Sequence, residues 1–128
     1  MAEQSMEVGR KLVELCKQGK NLEAVDHLYS PNIVSIEPHE GPGMPARQEG
    51  IKAIRDKNEW WLKNHQIHSH DVTGPWSNGD QFTVHFKYDV TGTGGPMKGK
   101  RMQVEEVGLY TVRNGKVAEE RFFYDMGK

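Results

Sequence analysis

Apolar residues in the first third of the chain recur at helical spacing. Val8, Leu12, Leu15 and Cys16 share one face of a 3.6-residue repeat. Gly19 suits the position just past a helix end. Asn21 can cap a second helix, whose face is Leu22, Val25, Leu28 and Tyr29 and which Pro31 stops. Ile33 to Ile36 reads as a short strand closed by Pro38, and the Pro/Gly-rich stretch 39–50 as a loop and mobile rim freed by Gly41, Gly43 and Gly50. From Ile51 to Asn64 the helical spacing returns through Ile51, Ile54, Trp61 and Leu62.

The second half changes period. Ile67 to Thr73 is a candidate strand halted by Gly74-Pro75. Gln81 to Thr91 alternates, with Phe82, Val84, Phe86, Tyr88 and Val90 on one face and Thr83, His85, Lys87 and Asp89 on the other. Residues 92–99 form a flexible connection. Asn114-Gly115 then marks a two-residue hairpin turn between strands Arg101–Arg113 and Lys116–Met126. A regular ladder from that turn places Leu109 opposite Glu120, Val107 opposite Phe122 and Glu105 opposite Tyr124 on one face. Glu106, Glu119 and Arg121 fall on the other, as do Tyr110, Val112, Val117 and Phe123. The fold class is α+β with three helices and an antiparallel sheet, in one domain covering 1–128.

Composition narrows the function. The chain has 128 residues, 17 Lys plus Arg against 18 Asp plus Glu, and a formal charge of −1. Without a basic excess, no nucleic-acid partner is expected. No apolar run approaches the ~18 residues of a membrane span, and the N-terminus lacks a signal-type apolar stretch. The single cysteine, Cys16, forbids an internal disulfide and reads as a small core residue. The location expected is the cytoplasm. Gly92-x-Gly94-Gly95 opens no helix and is no nucleotide fingerprint; no cofactor is expected.

The order of elements, LEAVDHLYSPNIVSIEP, TGPW after the second strand, and the terminal GLYTVRNGKVAEERFFYD resemble the SnoaL-like polyketide cyclases, in the superfamily of ketosteroid isomerase and nuclear transport factor 2. The resemblance spans nearly the whole chain. It implies a cone, with a curved sheet wrapped around three N-terminal helices and a pocket at the open end. It also implies a homodimer packed through the sheet's outer face, for which apolar character among Tyr110, Val112, Val117 and Phe123 is the sequence motive. The same fold serves many chemistries, so function must come from the site.

Glu37, just before Pro38, matches the place where isomerase-like members hold their general base. A carboxylate against an apolar wall can take a proton alpha to a carbonyl and return it elsewhere. The positions matching the isomerase's oxyanion hole carry Val13 and Val107, which donate nothing, and this argues against steroid isomerisation. Glu120, Glu105 and a histidine, His70 foremost, are the candidate proton partners. His68 and His70, two apart on a strand, point the same way; with His65 they would still lack the further ligands a metal needs, so no metal is expected. His39 is a candidate rim acid. Tyr29, Trp61, Phe86, Phe122 and Tyr124 are the expected aromatic lining, Tyr29 by its match to an isomerase tyrosine.

The leading function is cofactor-free acid/base chemistry of isomerase, cyclase or lyase type on a hydrophobic, carbonyl-bearing molecule. Glu37 is the base and Glu120 or His70 the partner. The rivals are a non-catalytic binding protein with the same pocket and a dimerisation module with a filled one.

Overall fold

A computed structural model describes residues 2–41 and 44–125; Gly43 and Met126 therefore lie outside the described residues. Helix α1 (Ala2–Lys17) turns Val8, Leu12, Val13 and Cys16 inward, and Gly19 at φ 76° closes it with Lys20 N–H donating to the Leu15 carbonyl at 2.8 Å. Helix α2 (Asn21–Leu28) begins at Asn21 itself, with no side-chain cap. Strand β1 (Tyr29–Ile36) starts four residues earlier than Ile33 and runs through Pro31, whose neighbourhood is where its pairing is irregular.

The stretch 39–50 is not all loop. Residues Arg47–Glu49 form strand β2, antiparallel to β1. Helix α3 (Ile51–Lys63) follows. Strand β3 (His65–Asn78) passes through Gly74-Pro75 with a register shift between Thr73 and Trp76, because a local irregularity absorbs what would otherwise end the ladder. Strands β4 (Gln81–Gly92), β5 (Arg101–Arg113) and β6 (Lys116–Phe123) complete the fold, with a 3₁₀ turn at Gly95–Met97.

The six strands run in the order β2-β1-β6-β5-β4-β3. The sheet is mixed rather than purely antiparallel: β1 lies parallel to β6. No hairpin joins the first strand to the last, so nothing in the local turns sets their direction. The helices cover one face, on which Phe82, Val84 and Phe86 of β4 meet Leu12, Val25 and Ile54 in a continuous core. Phe82 stacks on Tyr110 at 4.9 Å between centroids.

The β5–β6 hairpin turns where expected, with Asn114 at φ 54° and Gly115 at φ 76° pairing Arg113 with Lys116. Its register then departs from a regular ladder. Val112 faces Val117, but Thr111 faces Glu119, so Ala118 is an extra residue on β6. Beyond it Glu120 pairs with Tyr110 and Phe122 with Gly108. Tyr110, Val112 and Val117 consequently belong to the core, at 2%, 3% and 0% exposure, and not to the outer face. That face carries Val107, Leu109 and Phe123, and beyond them Trp76.

Candidate functional site

Three elements deliver polar side chains to one place on the helix-covered side. β1 alternates, so Ile33, Ser35 and Glu37 point the same way, with Ile33 and Ser35 fully buried. α3 carries Lys57 one turn after Ile54 and one turn before Trp61, on its inward stripe. β6 contributes Glu120, 1% exposed, and Phe122.

These groups form one connected chain of hydrogen bonds. The Tyr124 hydroxyl donates to Glu37 Oε1 at 2.8 Å, and Lys57 Nζ donates to Glu37 Oε2 at 2.8 Å. Lys57 Nζ also donates to Ser35 Oγ at 2.7 Å and lies 3.9 Å from Glu120 Oε2. Ser35 Oγ donates to Glu120 Oε2 at 2.7 Å, and the Tyr29 hydroxyl donates to Glu120 Oε1. Lys57 further stands 5.3 Å from the centre of the Phe122 ring, within cation–π range. The chain thus runs from half-buried Tyr124 to a carboxyl sealed in the core.

Burial pushes Glu120 above the ordinary glutamate value. The Lys57 cation and the bonds from Tyr29 and Ser35 oppose that rise, and Glu37 adds to it. Burial lifts the Tyr29 hydroxyl as well, reinforced by the Glu120 charge. Tyr124 is raised by burial and by Glu37 beside it. Cys16, a core residue as expected, is pushed up to about 12 by burial and then by Glu120.

Glu106 is the site residue the sequence reading placed on the wrong face. It pairs with buried Phe86 across β4 and β5, and so faces inward. Among the described residues it makes neither a hydrogen bond nor an ion pair. Burial, with the charge of Glu37 next, pushes its carboxyl up to about 7; Lys57 opposes this and Glu120 adds to it. Glu105 takes the opposite place. It is exposed on the outer face, where His85 Nε2 lies 2.6 Å from its Oε2. The extra residue in β6 is the physical reason, since a one-residue offset exchanges the faces. Lys57 was missed outright, although a lysine on the Ile54–Trp61 stripe of α3 is a readable sign of a buried cation.

The other candidates disperse. His70 is exposed, with Nε2 3.0 Å from the Lys17 carbonyl and its ring 6.2 Å from Tyr88. It makes no contact with Glu37 or Glu120. His68 falls at a register shift in β3 and bonds Thr91 on the outer face at 2.7 Å, so it does not point with His70. His65 stacks on Trp61 at 4.5 Å. No three His, Cys, Asp or Glu among the described residues are grouped to hold a metal. His39 is exposed, its ring 6.3 Å from Tyr124. Tyr29 and Phe86 are core residues, at 7% and 4% exposure, whereas Trp61, Phe122 and Tyr124 are half-buried.

A cleft of about 600 Å³ opens between the segment Met44–Glu49 and α3. Met44, Pro45, Gln48, Ala53 and Trp60 line it, and Lys57 reaches it from the hydrogen-bonded chain.

Comparison with known proteins supplies the context for this geometry. A family model described as a SnoaL-like domain matches residues 3–124. A crystal structure from Mesorhizobium loti, provisionally named a SnoaL-like polyketide cyclase and a carbohydrate phosphatase, is 46% identical, with a TM-score of 0.84 over 92% of this chain and 97% of the other. A provisionally named SnoaL-like polyketide cyclase from Jannaschia is 22% identical (TM-score 0.77, 98% and 88% covered). A Catenulispora acidiphila protein with a ketosteroid isomerase-like fold, in complex with trimethylamine, is 16% identical (TM-score 0.68, 91% and 85% covered). No curated protein matches the sequence. With nearly the full chain matched by the family model and the order of elements agreeing, the protein belongs to the SnoaL-like family.

Proposed function

We propose that this SnoaL-like protein is a cofactor-free acid/base enzyme acting on a hydrophobic, carbonyl-bearing small molecule. The observation that carries the reading is the pair Glu37 and Glu106. Glu37 is oriented on both oxygens by Tyr124 and Lys57, as a general base must be. Glu106 stands unpaired on the same side with a carboxyl pushed up to about 7, a value suited to holding or releasing a proton near neutrality. Glu106 takes the proton-partner role that Glu120 and His70 were expected to fill, because Glu120 is sealed in the core and His70 lies apart. The cyclase name of the Mesorhizobium loti relative agrees with chemistry at an acidic carbon beside a carbonyl.

The test is solvent-deuterium incorporation alpha to the carbonyl across a panel of aryl ketones and cyclic enones. Glu37→Gln is expected to lower exchange about 10²- to 10⁴-fold while leaving ligand binding nearly intact. Full exchange in that variant would place a non-catalytic binding protein first.

We also propose a homodimer through the outer sheet face, supported by Trp76 at 59% and Phe123 at 51% exposure beside Val107 and Leu109. Light scattering should give twice the 14.6 kDa chain mass, and Phe123→Lys should halve it. No helix among the described residues is long and apolar enough to cross a membrane; a cytoplasmic location is the proposal that accompanies the single cysteine.

A further inference from the structure

The cleft beside α3 and the buried Glu120 share one residue, and that residue carries a nucleophile. Lys57 has a side chain 16% exposed and lines the cleft, while its ammonium is 2.7 Å from Ser35 Oγ, which in turn is 2.7 Å from Glu120 Oε2. We infer that Lys57 is a Schiff-base lysine, delivering its amine to a carbonyl compound bound between the Met44–Glu49 segment and α3. The inference rests on the proposed carbonyl class of ligand but adds covalent chemistry that acid/base catalysis does not need.

The proton path is set by the hydrogen bonds. Lys57 passes an ammonium proton to Ser35 Oγ as Ser35 passes its own to Glu120 Oε2, leaving a neutral amine and a neutral acid. Burial already favours the protonated form of Glu120, which makes it a competent acceptor in that position. The Nζ lone pair then forms a C–N bond to the carbonyl carbon while the carbonyl π pair moves to oxygen. A proton moves from Nζ to that oxygen to give the carbinolamine. Return of the Glu120 proton through Ser35 lets the hydroxyl leave as water. The balance is ammonium plus carbonyl giving iminium plus water, with the charge unchanged.

The cleft also states what it takes. Arg47 is paired with Glu49 and Asp56 with Lys52, so the charges along its walls are internally matched. Met44, Pro45, Ala53 and the Trp60 ring supply apolar surface. A neutral aldehyde or ketone with a flat apolar body fits these walls better than an anion does.

The experiment is reductive trapping with 2-naphthaldehyde and cyanoborohydride at neutral pH, read by peptide mass spectrometry over all eleven lysines. This aldehyde has no proton alpha to its carbonyl, so the result is independent of whether Glu37 is a base. Lys57 is expected to be labelled at least ten times faster than Lys52, whose side chain is 89% exposed. Ser35→Ala should slow labelling of Lys57 about tenfold and leave the other lysines unchanged. Labelling that follows exposure, with Lys57 spared, would overturn the inference in the unaltered protein, whatever the variant's folding. An unchanged Lys57 rate in folded Ser35→Ala would overturn the relay.

Discussion

Glu105 and Glu106 are neighbours on β5 and lie in different electrostatic worlds. Glu105 points outward, 62% exposed, beside His85 and with Lys87 Nζ at 4.0 Å. Glu106 points inward opposite Phe86, where it feels the charges of Glu37 and Lys57 and water no longer stabilises its own charge fully. On β6 the same division separates outward Glu119 and Arg121 from Glu120, sealed against Tyr29 and Ser35. Both faces hold ion pairs of similar length. What differs is solvent: an outward pair competes with water and is worth little, whereas an inward charge must be matched or neutralised. Among the described residues, the inner site sets three carboxyls, Glu37, Glu106 and Glu120, around the cation Lys57, and burial favours the protonated form of Glu106 and Glu120.

The largest effect expected from breaking this contrast is at Lys57. Lys57→Met leaves Glu37 and buried Glu120 without their cation and should cost about 3 kcal/mol by urea denaturation. Lys57 holds the Glu106 and Glu120 carboxyls down against burial. Without it both rise further in the folded state, which then binds more protons than the unfolded chain, so the loss should be larger at pH 8 than at pH 5. Lys87→Met on the outer face should shift stability by less than about 0.5 kcal/mol. Equal costs for the two variants would remove the distinction between the faces.

The two faces were only partly legible in the amino-acid sequence. The helical stripes, the alternation of β4 and the Asn114-Gly115 turn are local patterns, and each stands where its pattern puts it. The extra residue at Ala118 is not local. Nothing in VAEE marks a bulge, yet it decides which of Glu105 and Glu106 enters the core. The split of His68 from His70 has the same origin in β3. Lys57 was hidden for a different reason: lysine reads as a solvated residue, and its burial follows only once Ser35, Glu37 and Glu120 converge from β1 and β6. Glu37 and Glu120 were named from resemblance and register, but their connection through Lys57 and Ser35 is tertiary.

A second prediction sharpens the contrast through pH. The Glu106 carboxyl is raised from an ordinary 4.5 to about 7. Between those values the folded protein binds more protons than the unfolded chain, so this group makes stability fall as pH rises through that window and adds no further loss above it. Glu106→Gln removes the penalty. At pH 8 the variant should be more stable than the parent by up to about 3 kcal/mol, from 1.36 kcal/mol per unit of pKa. At pH 5 the two should nearly coincide. A difference that is the same at both pH values would show that the gain comes from packing and not from the charge.

The smallest effect belongs to the neighbour. Glu105→Gln removes the charge beside His85 and keeps the side chain's size. Both partners of that contact meet water, and exposed pairs contribute about 0–1 kcal/mol because solvent and salt screen them and ordering two side chains costs entropy. The expected change in urea midpoint corresponds to less than about 0.5 kcal/mol, and it should shrink further in 0.5 M salt. The same substitution at adjacent positions therefore gives effects of very unequal size, and the gain toward pH 8 belongs to Glu106. Measuring the pair together tests the register directly: if Glu105→Gln gave the large gain at pH 8, the strand would have to present Glu105 inward, as a hairpin without the extra residue at Ala118 would.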